Sequence, residues 1–420
     1  MEVLNNICLN ITDCEHKTAP IQEKGISSIR TTDIKNGVID FKGSNKVSEE
    51  TYTNWTQRVE PQPYDLVLAR EAPVGQVGMI PKGYRACLGQ RTVLIRPNQQ
   101  KVYPVYLLYL LLSKEIQHEM KIRASGSTVE HLNMLDIRNL KLPNLPSLKV
   151  QQEIGDTLGN LDAKIDNLRR QNETLEEIAR SIFKHWFIDF EFPNADGKPY
   201  KSSGGAMVRS DLGDIPEGWQ VGKLGEYLEI QHGFNFTSDD FVDDGHTVVR
   251  MGNFLTGGGL DFNKDKTKYF QGKINDKFLL NKGALVVVLS DVTQNGLILG
   301  NPGIIPSDGI IYLLNQRVGR INIKKHLNTI FLYYLMTTKP YKHWVKNSAN
   351  STTVLNTSPS RIYDFLFKIP SDSKLSEQFQ EYSHSLVSKK EVNILQIQTL
   401  TKTRDALSPK LMSGQLRVKE

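Results

Sequence analysis

The amino-acid sequence predicts an α+β protein. Two β-rich lobes with helices are joined by a pair of long antiparallel coiled-coil helices and related by a pseudo-two-fold internal repeat. Three observations carry this expectation. Blocks of similar sequence recur in the same order in both halves, each half alternates short β-rich runs with turns, and each half closes in a long heptad pattern.

Composition sets the outer bounds. A chain of 420 residues is long for one domain and comfortable for two or three. Hydrophobic residues at 39% and charged residues at 23% are globular values, which exclude collagen-like and disordered classes. The longest apolar run, Val105 to Leu112, falls well short of the ~20 residues a membrane span needs. The start, "MEVLNNICLNITDCEHK", lacks the basic, apolar and small-residue succession of an export signal, so the cytoplasm is expected. Cys8, Cys14 and Cys87 are odd in number and lack CxxC spacing, which fits reduced thiols. Cys14 and His16 offer two ligands only, so no metal site is expected. A net charge of +6 is compatible with a polyanionic partner and also common without one.

The repeat is the strongest signal. "SSIRTTDIKNGVIDF" (27–41) faces "TVVRMGNFLTGGGLDF" (247–262), which sets Arg30 opposite Arg250. "YDLVLAREAPVG" (64–75) faces "GALVVVLSDVTQNG" (283–296), and Gln90-Arg91 faces Gln316-Arg317. "VYPVYLLYLLLS" (102–113) matches "LNTIFLYYLMTT" (327–338), and "LKLPNLPSLKVQQ" (140–152) matches "FKIPSDSKLSEQ" (367–378). Chance does not preserve order through so many blocks.

Within each half, runs such as Leu66 to Leu68 and Leu285 to Leu289 read as strands between Gly, Pro and Asn turns. The blocks at 103–119 and 327–345 each read as one helix. A seam then runs through Ile154, Leu158, Leu161, Ile165, Leu168, Asn172, Leu175, Ile178 (with Ala179) and Ile182. Its counterpart runs through Leu386, Lys390, Asn393, Ile397, Leu400, Arg404, Leu407 and Leu411.

Residues 151–193 carry nine acids and five bases, net −4, while 376–420 carry seven bases and five acids, net +2. Opposite charge favours pairing these two helices with each other, as a rod of about 50 to 60 Å. The expected division is a first lobe at 1–150, a first helix at 151–192, and a linker and entry at 193–218. A second lobe at 219–375 and a second helix at 376–420 complete it.

At this point the residues resemble a known family. "IPEGWQVGKLGE" opens the second lobe, "GSTVEHLNMLDIRNLKLPNLP" and "QQEI" lead into one helix, and "ALSPKLMSGQLRV" closes the other. This order and duplication resemble the specificity subunit of type I restriction-modification systems over essentially the whole chain. The resemblance implies that each lobe is a target recognition domain reading one half of a split DNA site, while the helices hold the lobes apart and bind two methyltransferase subunits. The chain departs from the pattern at its start, which lacks "PEGW".

Candidate DNA-binding residues lie in polar loops: His16, Lys17, Arg30, Arg70, Arg123, Ser125, Ser127 and Thr128 in the first lobe. In the second they are Gln231, Asn235, Arg250, Asn253, Lys346, Asn350, Ser351 and Thr352. Taken singly, each reads as a solvated surface residue before it reads as a DNA contact. The Gln-Arg repeat is expected to be scaffold. Candidate partner-binding residues are Phe183, Trp186, Phe187, Phe190, Leu407 and Leu411, against the alternative that the aromatics cap the chain's own core.

No phosphate-binding loop, Asp/Asn-Pro-Pro-aromatic run or nucleophile-base pair is evident, so the chain is expected to be non-catalytic and to bind no cofactor. The resemblance implies S-adenosylmethionine on the methyltransferase partners, and ATP and Mg on a motor-nuclease (restriction) subunit. Double-stranded DNA is the expected ligand, and no membrane is involved. The competing reading is a two-lobed coiled-coil scaffold without sequence-specific DNA reading.

Overall fold

Apolar runs such as Leu66–Ala69 and Leu285–Val288 become strands buried on both faces, which is why they read as continuous rather than alternating hydrophobic segments. The computed structural model describes all residues except 126–129, 264–265, 294, 348–353 and 417–420. It divides into unit 1, Met1–Leu168 with Gln396–Glu420, and unit 2, Arg169–Leu395. The helices are α1 (Glu49–Trp55), α2 (Pro104–Leu112), α3 (Lys114–Arg123), α4 (Met134–Arg138) and α5 (Leu148–Phe187), then α6 (Thr329–Leu335), α7 (Lys339–Asn347), α8 (Pro359–Tyr363) and α9 (Lys374–Met412).

In unit 1 a four-stranded antiparallel sheet runs Cys8–Asp13, Thr92–Pro97, Leu66–Ala69, Val77–Met79. A three-stranded sheet runs Asn45–Val47, Ile26–Ile29, Ala86–Leu88, its last pair parallel with Ile29 opposite Leu88. Side chains alternate across the central strand. Leu66 and Leu68 join Tyr106, Leu107 and Leu111 in one core, while Val67 and Ala69 join Ile29 and Leu88 in another.

Unit 2 repeats this plan. Its four-stranded sheet runs Leu228–His232, Val318–Ile323, Leu285–Val288, Pro302–Ile304. A five-stranded sheet contains the parallel pair His246–Val249 and Tyr312–Leu314, with Val249 opposite Leu314. The same alternation sends Leu285 and Val287 to one core and Val286 and Val288 to the other.

The Trp219 motif earns its place by pairing. Trp219–Lys223 lies antiparallel to Leu366–Pro370 over five residue pairs, and Trp219 meets Phe190 edge-on and stacks with Phe192. In unit 1, Glu2–Val3 pairs with Lys141–Leu142 in the same role over two pairs. Both lobes therefore enter through one element, although only the second carries the aromatic motif. The stretch 193–218 is ordered around a short pairing of Met207–Val208 with Ile215–Pro216, and Ile215 is buried in the core.

Two details differ from the sequence expectation. Each block read as one helix is two. Ser113 ends α2 in extended backbone and its Oγ accepts the Ile116 N–H to start α3. Thr337 and Thr338 separate α6 from α7, their hydroxyls donating back to carbonyls, and Pro340 falls in the first turn of α7. In the helical seam Ala179, not Ile178, faces inward; Ile178 is exposed because Phe183, Trp186 and Phe187 turn the apolar face of α5.

The two long helices pack together in antiparallel fashion within each unit. In unit 1, Arg404 of α9 donates to Asp162 of α5, and Leu411 shares a core with Ile154 and Leu158. In unit 2, Lys390 bridges to Glu176, Asn393 meets Asn172, and Phe379 packs on Phe183 and Phe187. Rising numbers on α5 meet falling numbers on α9.

Candidate nucleic-acid interface

Unit 1 gathers several predicted residues at one edge of its sheets. Arg70, just past Leu66–Ala69, donates from Nη1 to Asp13 Oδ2 at 2.6 Å, and His16 Nε2 lies 3.2 Å from the same oxygen. Gln90 Nε2 donates to the His16 carbonyl at 3.4 Å, and Arg91 pairs with Glu71 at 2.9 Å. The backbone of Ser125 pairs with His131, which also bridges Glu71. His16, Arg70 and Ser125 are thus parts of one polar edge, with Lys17 exposed beside them. Arg123 is bound instead within α3, donating to Glu119 at 3.0 and 2.7 Å. Arg30 donates to Asp33 from Nε and Nη2 at 3.1 and 2.7 Å.

Asp13, Cys14 and His16 bring possible ligand atoms within 4.8 Å of one another. The Asp13 carboxylate already accepts from Arg70, whose guanidinium supplies the positive charge there. Burial, with the nearby Asp13 charge, raises the Cys14 thiol above its usual range. The group works as a hydrogen-bonded cluster.

Unit 2 arranges its candidates differently. Gln231 donates to the Lys277 carbonyl at 2.7 Å and accepts from Arg320 at 2.5 Å, so its amide is committed. Asn235 is exposed next to the exposed ring of Phe234. Arg250 lies over the Phe241 ring, 4.9 Å from its centre. Asn253 is fully buried; its Oδ1 accepts the Arg250 N–H and its Nδ2 donates to the Asp261 carbonyl. That side chain shapes a turn rather than facing solvent. Lys346 is exposed on α7. Ser127, Thr128, Asn350, Ser351 and Thr352 lie outside the described residues.

The proposed partner-binding aromatics are interior. Phe183, Trp186, Phe187 and Phe190 are between 2% and 6% exposed and pack with Phe331, Phe379 and Trp219 in the unit 2 core. Leu411 is buried in unit 1 and Leu407 packs partly against the same core. The alternative of a core-capping cluster describes the position of the aromatics. Sequence reasoning passed over Tyr382, Val392 and Leu395, apolar residues exposed on α9, and placed in the seam Ile178 of α5, which is exposed as well. Heptad positions facing away from the seam are the signal that could have found them.

One sheet plan is built twice in this chain, and in unit 1 its edge carries paired charged residues, Arg70 with Asp13 and Arg91 with Glu71. The sequence matches the type I restriction modification DNA specificity domain at 17–177 and again at 216–395. It is 28% identical to the type I restriction enzyme MjaIX specificity subunit of Methanocaldococcus jannaschii, over 90% of this chain and 83% of that one. The MjaVIII specificity subunit of the same organism is 25% identical over 81% of this chain and 77% of its own. The S subunit of a type I restriction-modification system from M. genitalium shares the fold, with a TM-score of 0.57 and 15% identity over 98% of this chain and 95% of that one. The chain belongs to the type I restriction-modification specificity (S) subunit family, the non-catalytic members of these complexes, and carries the family's domain twice. Among the described residues no helix is long and apolar enough to cross a membrane.

Proposed function

We propose that each lobe reads one half of an asymmetric, bipartite DNA site, that the α5/α9 pair sets the half-site separation, and that the same helices bind two methyltransferase subunits. The lobes correspond to 1–150 and 219–375, the helices to 151–192 and 376–420, with 193–218 as the entry to the second lobe. The observation that carries this reading is one sheet plan built twice with unlike edge residues, such as Arg70 with Asp13 in one unit and Leu289 and His232 at the matching strand positions in the other. One fold supplies a common docking frame, and unlike edges supply two different half-sites. The helices are 40 and 39 residues long, about 60 Å each, which supports a rod as the spacing element.

Methylation then depends on S-adenosylmethionine held by the methyltransferase subunits, and cleavage on ATP and Mg held by restriction subunits, all acting on cytoplasmic DNA. The test is methylome sequencing of the source strain with and without this gene. Loss of adenine methylation at one split, asymmetric motif is expected. An unchanged methylome in cells where the chain is bound to its methyltransferase would favour a scaffold without DNA reading.

A further inference from the structure

The two units place a pair of arginines at matching points. In unit 1 Arg30 directly follows Ile29 of the parallel pair, and Arg91 lies three residues beyond its partner Leu88. In unit 2 Arg250 directly follows Val249, and Arg317 lies three residues beyond Leu314. The turns are hydrogen-bonded alike: Arg70 N–H donates to the Arg91 carbonyl at 3.0 Å, and Leu289 N–H to the Arg317 carbonyl at 2.9 Å.

Their carboxylates are not matched. Arg30 is held by Asp33, and Arg91 by Glu71. The Asp33 position is taken by Asn253; each accepts, at 2.9 Å, the backbone N–H of the arginine three residues earlier. The Glu71 position is taken by Ser290, as the strand registers Ala69 to Thr92 and Val288 to Val318 require. Its hydroxyl donates to Asn356. Two acid-to-neutral exchanges thus strip both countercharges from one arginine pair.

Among the described residues no carboxylate pairs with Arg250 or Arg317. Burial and then the charge of Arg317 depress the Arg250 guanidinium below its usual range. Neighbouring like charges are unfavourable unless an anion joins them. Arg250 is braced on Phe241, and Arg317 is exposed, so two guanidiniums with no carboxylate partner among the described residues follow the two strands of one parallel pair. A phosphate offers oxygens to both, whereas a guanine edge is satisfied by one.

We propose that Arg250 and Arg317 together hold a DNA backbone phosphate at the second lobe, a contact the first lobe lacks because Asp33 and Glu71 occupy its arginines. This rests on the DNA-reading function proposed above. The test uses the full chain assembled with its methyltransferase subunits, and duplexes bearing the methylated motif, titrated with salt. Arg317→Gln is expected to weaken binding about tenfold, evenly across base-substituted sites, and to reduce the salt slope by about one. Asn253→Asp, which restores the unit 1 acid, is expected to weaken binding in the same direction, while Arg91→Gln leaves the slope unchanged. Wild-type affinity and slope in Arg317→Gln would overturn the assignment, as would a loss confined to one base pair, which would make Arg317 a base reader. A wild-type complex that fails to bind DNA at all would instead remove the DNA-reading function itself.

Discussion

Asn393 Nδ2 donates to Asn172 Oδ1 at 2.9 Å between α9 and α5, with Asn393 fully buried in a seam that is otherwise largely apolar. Its own Oδ1 has no hydrogen-bond partner among the described residues. A buried amide pair of this kind fixes which residues face each other at some expense in stability. Replacing both by Leu is expected to raise the melting temperature, whereas Asn393→Ala alone lowers stability by about 1 to 2 kcal/mol by orphaning Asn172. Thermal unfolding of the single and double variants checks this; a double variant less stable than either single would contradict it.

Glu176 is the charged anchor one turn further along. Its carboxylate accepts from Arg180 at 2.9 Å, from Tyr333 at 3.3 Å and from Lys390, and Arg180 also donates to the Gly257 carbonyl at 2.7 Å. Glu176→Ala is expected to cost about 3 kcal/mol, at the low end for a buried pair because Arg180 keeps a third of its side chain in water.

The same network predicts a pH dependence. Burial works against ionising Glu176, but Lys390 and then Arg180 outweigh it, so the carboxyl lies below its usual range. A depressed carboxyl stabilises the fold above its unfolded pKa, and that stability is lost as pH falls through the folded pKa. Acid unfolding followed by circular dichroism should therefore show a shallower loss of stability below about pH 4.5 in Glu176→Gln than in the wild type.

Trp186→Ala is expected to destabilise unit 2 by about 3 to 5 kcal/mol, because the ring is core. Tyr382→Ala, at a residue 65% exposed on α9, should leave the melting temperature within a degree or two and weaken capture of the methyltransferase subunit. A pull-down with the co-expressed partner separates the two effects.

Asn253→Ala removes a buried acceptor and donor that shape the turn after Val249, and is expected to cost about 1 to 3 kcal/mol. Lys346→Ala, on an exposed side chain, should lower DNA affinity without a stability change. Denaturant titration beside a binding assay tests both; an unchanged stability of Asn253→Ala would count against its role in the turn.

The repeat, the strand positions and both heptad seams were legible in the sequence because hydrophobic periodicity is a local property. The strands at Leu66 and Leu285 and the two long helices lie where their patterns put them, with Ile178 the seam position that turns outward. The break at Ser113 was less visible, since a Ser that ends one helix and caps the next looks the same in sequence as one inside a helix. Individual site residues were the least legible. Asn253 and Asn235 are the same residue type in similar polar loops, yet one is sealed under its turn and the other is exposed. Likewise Arg91 and Arg317 follow the same Gln, and their difference lies in residues distant in sequence, Glu71 and Ser290, which strand pairing carries beside them. Sequence by itself thus determined the elements, their duplication and their pairing along the helices. The tertiary structure alone decided which distant charges meet, such as Glu71 with Arg91 and Glu176 with Lys390, because those countercharges arrive from other parts of the chain that folding brings alongside.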